Sequence, residues 1–260
     1  MHLHNLLRQT LGLLAASAMI ATLLLPSLAS AQIEHYNLVF IMLDDLGKEW
    51  ISCYGAEDIE TPHIDTLAKS GMKFNNFYCM PQCTPTRVTL LTGQYPYRHG
   101  WVNHWDVPRW GGGCSFDPKR NPSFPVMIRK AGYATAVAGK WQIDDFRVEP
   151  NAMKDAGFDN YCMWTGFESG NRPSRERYQD AFVYEAGKKS GTRKDKFGPD
   201  VFTDYLVDFI DENKARPMMI YYPMALPHTP LVPTPDAPNA KEKLEKRAFR
   251  VFLLHSARRV

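Results

Sequence analysis

The sequence predicts an α/β fold in which a mostly parallel sheet is flanked by helices. Apolar runs of strand length occur at NLVFIML (37–43), YATAVAG (133–139) and PMMIYYPMAL (217–226), and segments of helical periodicity separate them. A continuous apolar run such as the first is typical of a strand buried on both faces. Strands that alternate with helices favour a parallel sheet. The proline-rich segment 223–238 predicts a loop.

Four segments predict helices. TPHIDTLAKSG (61–71) has a threonine cap, a proline at the first helical position and a glycine stop. Shorter helices are predicted from Cys83 to Gly93 and within FPVMIRKAG (124–132). DVFTDYLVDFIDEN (200–213) predicts an amphipathic helix, because its apolar side chains fall on one stripe: Phe202, Tyr205, Leu206, Phe209 and Ile210.

The two ends of the chain differ in composition from its middle. Arg8, an apolar run and the small residues 29–31 are typical of a secretory signal peptide, and an uncleaved anchor is the alternative. Residues 1–31 are therefore expected to be removed, leaving a periplasmic or secreted protein without stable membrane insertion. Residues 241–260 hold seven Lys/Arg against two Glu, in a chain of net charge +3. This basic tail accounts for the positive excess, so no nucleic-acid-binding face is indicated. Residues 32–240 form the predicted main domain.

Five cysteines enter an oxidising compartment: Cys53, Cys79, Cys83, Cys114 and Cys162. An odd number there leaves one thiol for another purpose. If Cys83 is that thiol, the other four are expected to form two disulfides, whose pairing stays open.

Polar side chains follow the predicted strands, where open α/β sheets bind their ligands. Asp44 and Asp45 follow the first strand, Lys140 the second and His228 the third. Adjacent carboxylates repel each other unless a cation lies beside them, and Ca²⁺ or Mg²⁺ prefers oxygen ligands. Taken alone, Asp44 and Asp45 are more typical of a turn, Lys140 of a solvated surface and His228 of a loop. Because these residues all follow strand ends, together they predict a site in which a metal ion and basic side chains bind one anion.

The predicted helix that begins at Cys83 provides the remaining groups of this site. A helix N-terminus favours an anion, and Arg87 lies one turn further along. Residues 83–93 match C-x-P-x-R-x-x-x-L-T-G completely. The motifs MLDDLG, TPHIDTLAKSGMKF, AGKW and PHTP accompany it in order, within residues 36–235. With these motifs the chain resembles the type I, formylglycine-dependent sulfatases of the alkaline-phosphatase-like superfamily.

The resemblance implies a specific chemistry for the motif cysteine. In such proteins a sulfatase-maturing enzyme oxidises it to formylglycine, whose hydrate attacks the sulfur of a sulfate ester of an aryl or carbohydrate alcohol. By position, Asp44 and Asp45 would bind Ca²⁺ (or Mg²⁺) together with the hydrate derived from Cys83.

The resemblance also implies roles for the basic residues of the site. Arg87 would steady the hydrate, and Lys140 would neutralise the sulfate oxygens. His228 would protonate the departing alcohol. Lys140 and His228 are therefore the expected substrate-binding residues.

The chain departs from the family pattern in two respects. The family usually has a histidine two positions after the lysine of AGKW, whereas this chain has Gln142, which cannot act as a base. His99 and His104 are candidate substitutes. Family members also continue to an Asp-Asn metal pair and a further lysine. The chain is therefore expected to be truncated, with an incomplete C-terminal fold and weakened activity.

Three alternatives remain open. A phosphate or phosphonate ester hydrolase of the same superfamily would share the cysteine motif, and a non-catalytic sulfate-binding remnant would share the fold. The third alternative is a zinc-binding module, because Cys79, Cys83, His99 and His104 have a spacing close to that of a zinc finger.

Overall fold

The computed structural model describes residues 35–57, 59–102, 117–166 and 176–236. The chain divides into two units after Tyr36, and every helix and strand named below belongs to the second unit. The predicted signal peptide and basic tail, together with Cys114 and His104, lie outside the described residues.

Six strands form one sheet in the order β1–β6–β2–β3–β4–β5. The first four in this order pair in parallel, and β4 and β5 are added antiparallel. The predicted α/β fold with a mostly parallel sheet is therefore confirmed. The strands are β1 (Leu38–Met42), β2 (Ala134–Lys140), β3 (Asn160–Trp164), β4 (Phe182–Glu185), β5 (Gly191–Thr192) and β6 (Met218–Pro223).

All four predicted helices are present, and each ends within a residue or two of its predicted glycine or asparagine stop. The described helices are α1 (Pro62–Ser70), α2 (Cys83–Thr92), α3 (Pro96–His99), α4 (Phe124–Lys130), α5 (Ala152–Asp155) and α6 (Gly198–Asn213), with 3₁₀ turns at Lys48–Trp50 and Ser52–Tyr54. None of the helices in the described ranges combines the length and the apolar character needed to cross a membrane. On α6, Phe202, Leu206 and Phe209 are buried, whereas Ile210 is exposed at the margin of the predicted stripe.

Two hydrophobic cores lie on opposite faces of the sheet, and β2 belongs to both. Ala136 and Ala138 face the core that contains α6, whereas Val137, between them, faces the core that contains α2. Alternation of this kind follows from the strand period of two. Every residue of β2 is buried, so the strand holds its last residue, Lys140, in a fixed position.

The prediction that the first strand is buried on both faces is wrong. Most residues of β1 are exposed, including Val39 at 57%. The physical reason is that β1 pairs with β6 only, and no other described strand lies along its outer edge. The run is apolar as a buried strand requires, but it occupies an edge of the described sheet.

The expectation of two disulfides is also contradicted. Cys53, Cys79, Cys83 and Cys162 form no disulfide in this structure. Two disulfides among the four other cysteines would need at least one bond within this described set. Cys162 is instead a buried core residue of β3, where burial raises the pKa of its thiol to about 12. A thiol of that pKa stays protonated and unreactive at neutral pH.

A close approach of β2 to β6 generates a first prediction. Gly139 has φ +122°, and a Cβ on this residue would lie 2.2 Å from the backbone oxygen of Pro223 on β6. The substitution Gly139→Ala therefore combines a disfavoured backbone with a backbone clash, and we expect it to cost about 3 kcal/mol of unfolding free energy or more. Urea denaturation measures the loss.

Gly187 provides the matched control for this prediction. It also has a positive φ, +71°, but a Cβ there would meet nothing within 4 Å. Gly187→Ala should therefore cost only the backbone strain, about 1–2 kcal/mol. Equal losses in the two variants would show that the approach of β2 to β6 is not tight.

Candidate active site

The centre of the candidate site is a buried ionic cluster in which two cations share one carboxylate. The ammonium of Lys140, at the end of β2, donates a hydrogen bond to Asp44 Oδ2, and Arg87 Nη2 lies 3.6 Å from the same oxygen. Arg87 Nη1 also donates to the backbone oxygen of Lys140 at 2.7 Å. All three side chains are almost inaccessible to solvent. The cluster therefore ties together the ends of β1 and β2 and the first turns of α2.

The charges of this cluster do not balance. Burial by itself would raise the pKa of Asp44, but the neighbouring Arg87 and Lys140 cations outweigh it and lower that pKa. Burial also lowers the pKa of Lys140, and attraction to Asp44 opposes this only in part. Charges in a poorly solvated interior need a nearby counter-charge. The excess positive charge therefore suits an anionic ligand.

Cys83 stands beside this cluster as the first residue of α2. Its Sγ lies 3.2 Å from Oε1 of Gln142, and the Thr84 hydroxyl donates to the backbone oxygen of Gln142. Gln142 has a left-handed backbone, φ 55°. Cys83 lines a cavity of about 630 Å³ together with Asp44 and Asp45. The structure thus brings together the motif cysteine, both predicted carboxylates and the glutamine that departs from the family pattern.

The two adjacent aspartates have different environments. Asp44 is buried, whereas the side chain of Asp45 is 64% exposed and has a left-handed backbone, φ 61°. Asp45 Oδ2 lies 3.3 Å from Nε2 of His228. The backbone of Asp44 donates to the oxygen of Leu226 at 2.9 Å, which brings the proline-rich loop with His228 to the end of β1.

The carboxylates of Asp44 and Asp45 can supply some of the oxygen ligands of a divalent cation. The described contacts of the Asp44 carboxylate use Oδ2, and Asp44 and Asp45 line the same cavity as Cys83. Carboxylate oxygens are the ligands that Ca²⁺ and Mg²⁺ prefer. However, within the described ranges no three His, Cys, Asp or Glu side chains are grouped as metal ligands. These two carboxylates are thus a partial set, and their role as ligands stays a prediction.

His99 is a structural residue, which contradicts both of its predicted alternatives. The backbone N–H of Trp101 donates to Nδ1 at 3.1 Å, so Nε2 carries the proton and donates to the Thr89 hydroxyl at 3.0 Å. With both ring nitrogens engaged, His99 is neither a zinc ligand nor the substitute base near Cys83. Gln142 occupies that position beside Cys83 instead.

Sequence reasoning missed one residue of the site, Arg177. Its Nη2 lies 2.9 Å from Nδ1 of His228. Arg177 belongs to SRERYQD, a polar stretch without a motif, and 51 residues separate it from the histidine. No pattern within the sequence indicates that contact.

Comparison with known proteins identifies the family. Residues 36–250 match the family described as Sulfatase. The chain belongs to the sulfatase family. It is 30% identical over 222 residues to the N-acetylglucosamine-6-O-sulfatase of Bacteroides thetaiotaomicron, which covers 83% of this chain and 35% of that protein. It is 28% identical over 214 residues to the N-acetylgalactosamine-6-sulfatase of Canis lupus familiaris, covering 75% and 40% of the two chains.

Solved structures agree with this assignment. The crystal structure of Ps i-CgsB matches with a TM-score of 0.70 and 26% identity, over 87% of this sulfatase chain and 53% of the other. The lipoteichoic acid synthase LtaP of Listeria monocytogenes, at 15% identity and a TM-score of 0.51, shares the fold over 86% of this chain and 50% of its own. The resemblance and the fold class predicted from the motifs are therefore confirmed. The chain spans between about a third and about half the length of these four proteins.

The ionic cluster generates a second prediction, which compares adjacent aspartates. Asp44→Asn leaves Lys140 and Arg87 buried without their carboxylate, and we expect a loss of about 3–5 kcal/mol of unfolding free energy. Asp45→Asn removes an exposed charge and suits the left-handed backbone, so its effect should stay within about 0.5 kcal/mol. Chemical denaturation in the presence of a chelator measures both. Equal effects would contradict the asymmetric burial of the pair.

His99 generates a third prediction, on the pH dependence of stability. Burial lowers the pKa of His99 below its usual value. As the pH falls, His99 is therefore protonated in the unfolded chain before it is protonated in the folded chain, and the folded state loses stability. From about pH 7.5 to about pH 5.5, this residue should cost at most about 1.4 kcal/mol of unfolding free energy. His99→Asn keeps an acceptor for the Trp101 N–H and should lose less stability over the same range. An identical pH profile in the variant would contradict the neutral assignment of His99.

Proposed function

We propose that this chain supplies the catalytic cysteine of a periplasmic or secreted enzyme that hydrolyses sulfate esters of carbohydrates. The observation that carries the proposal is the position of Cys83, beside a buried cluster in which Arg87 and Lys140 outnumber Asp44. A nucleophile that faces excess positive charge suits an anionic ester. The export of the protein rests on the composition of residues 1–31.

In the proposed reaction Cys83 acts after conversion to formylglycine. This conversion replaces the sulfur on Cβ by oxygen, and the sulfatase-maturing enzyme supplies the oxidant. The aldehyde takes up water to give a geminal diol. One hydroxyl of the diol attacks the sulfur of the ester, and the alcohol leaves with a proton. The second hydroxyl then loses its proton, the aldehyde re-forms and sulfate departs.

Side chains around Cys83 have the chemistry that these steps need. Lys140 and Arg87 offset the negative charge of the sulfate group, and their fixed positions require no reorganisation. His228, whose Nε2 lies 3.3 Å from Asp45 Oδ2, would donate a proton to the departing alcohol. Gln142 Oε1, which accepts from the Cys83 thiol, would accept equally from a hydroxyl of the diol. The amide orients that hydroxyl but does not remove its proton.

Asp44 and Asp45 are the residues that would hold a divalent cation beside Cys83. When bound, Ca²⁺ or Mg²⁺ would supply a Lewis acid for the sulfate oxygens. Lys140, which donates to Asp44 Oδ2, would hold that carboxylate in place.

We propose a sulfate ester rather than a phosphate ester as the substrate, because the chain belongs to the sulfatase family. For the organic half of the substrate we propose a sulfated hexosamine, because the names of both relatives specify N-acetylhexosamine 6-sulfates.

The proposed function generates a fourth prediction. The full chain, produced with a sulfatase-maturing enzyme, should carry an aldehyde at residue 83, which mass spectrometry of the peptide detects. It should then release sulfate from N-acetylglucosamine 6-sulfate and from 4-nitrophenyl sulfate, and act more slowly on 4-nitrophenyl phosphate. Cys83→Ala and a chelator should each reduce sulfate release by about a hundredfold or more.

The outcomes separate the remaining alternatives. An unchanged thiol despite the maturing enzyme would overturn the proposal at its first step. Faster release of phosphate would indicate a phosphate ester hydrolase. A residue-83 aldehyde with sulfate binding but no turnover would indicate a non-catalytic sulfate-binding protein.

A further inference from the structure

Two exposed tyrosines lie together at α3, beyond the end of α2 that is remote from Cys83. Tyr95 and Tyr97 are 62% and 76% exposed. Their rings are nearly parallel, with an interplanar angle of 10° and 6.0 Å between the ring centroids. Single exposed aromatic side chains are common on protein surfaces and need no explanation. Two neighbouring rings held parallel instead form one aromatic surface, which is a candidate binding surface.

An arginine adds positive charge to this aromatic surface. The Cζ atom of Arg98 lies 6.0 Å from the centroid of the Tyr97 ring. Arg98 is exposed, and it forms no salt bridge with an acidic side chain among the described residues. Between Asp65 and Asp106 the sequence contains no acidic residue and four Lys or Arg. The surface therefore suits a ligand that combines a flat apolar face with negative charge.

The backbone that carries these side chains is anchored to α2. The ring of His99, the last residue of α3, contacts the Thr89 hydroxyl at 3.0 Å and accepts the Trp101 N–H at 3.1 Å. Trp101 is buried in the core that contains α2. Pro96, at the first helical position, restricts the backbone between the two tyrosines. Tyrosines on a fixed backbone lose little conformational entropy when a ligand binds, so the surface is organised in advance.

The cavity beside Cys83 extends along α2 in the direction of α3. Its lining includes Cys83, Thr86, Thr89 and Leu90, so it follows the helix for about two turns. Thr89 is also the residue that contacts His99 of α3. The ten residues of α2 span about 15 Å. A ligand that reaches both Cys83 and the tyrosines is therefore longer than one sugar, as a polysaccharide is.

We propose that Tyr95, Tyr97 and Arg98 form a second binding site, which takes a sulfated sugar of a polysaccharide at a distance from the reacting ester. The apolar C–H face of a pyranose ring packs on the tyrosine rings. Arg98 pairs with the sulfate group of that sugar. The surface is an observation of the structure, whereas the choice of a sulfated glycan as its ligand rests on the proposed function.

Binding of chondroitin 6-sulfate, a polymer that contains N-acetylgalactosamine 6-sulfate, tests the proposal without turnover and is our fifth prediction. The full chain is produced without a maturing enzyme, so that residue 83 stays a cysteine, and is titrated by calorimetry. Tyr95→Ala and Tyr97→Ala should each weaken binding by about fivefold or more, because each removes half of the aromatic surface. Arg98→Ala should weaken binding by about tenfold at low salt and by less at high salt, which screens the ion pair.

Two variants and a second polymer control this experiment. Tyr97→Phe keeps the ring and should retain the affinity within about twofold. Arg216→Ala removes an exposed arginine that hydrogen-bonds Asn213 of α6, a helix on the opposite face of the sheet, and should not change binding. Desulfated chondroitin should bind weakly to the unsubstituted chain. Equal losses in Arg98→Ala and Arg216→Ala, full affinity in Tyr97→Ala, or equal affinity for both polymers would overturn the proposal.

Turnover provides a second readout, because a small ester bound at Cys83 does not reach α3. In the matured protein, Tyr97→Ala should raise KM for a chondroitin 6-sulfate oligosaccharide by about fivefold or more relative to KM for 4-nitrophenyl sulfate. If the binding result holds but the unsubstituted chain shows no turnover, the proposed function fails and the second binding site stands. If the unsubstituted chain is active but both KM values respond equally to Tyr97→Ala, the second site fails and the proposed function stands.

Discussion

The burial of Lys140 and Arg87 against the single carboxylate of Asp44 is the constraint on which the rest of the site depends. Groups this polar stay in a protein interior only when their partners are fixed, because each lost contact leaves a charge unsolvated. The fully buried β2 strand and the N-terminal turns of α2 supply this rigidity. The same three side chains therefore determine both the stability of this region and the affinity for an anion that we propose for it.

Periodicity and helix-stop residues were sufficient to predict the architecture, because they act locally. The extent of α1, for example, depends on a proline and a glycine within the helix's own segment. The exposure of β1 was not predictable in this way, since an apolar run shows that a strand suits burial but not which neighbours it has.

The same limit applies to the site: features that nearby residues determine were predictable, and features that depend on distant residues were not. Its motif residues were identified from spacing, and the structure gathers them at one edge of the sheet. The difference in burial and pairing between Asp44 and Asp45 was not predictable. It arises from contacts with Lys140 and His228, which lie far along the chain. The contact of Arg177 with His228 was not predictable for the same reason. Contacts between distant segments carry information about burial and pairing that no local pattern contains.

The left-handed backbone of Gln142 has a consequence for the evolution of this site. Among side chains other than glycine, that conformation is enriched in Asn, Asp and His, and glutamine has no special preference for it. The main chain at this position therefore does not select the amide over an imidazole. A change in the third base of a glutamine codon yields histidine, so a ring would enter beside Cys83 without a backbone barrier. The left-handed backbone thus leaves the exchange of glutamine for histidine open in both directions, and the side-chain contacts of residue 142 decide which of the two is kept.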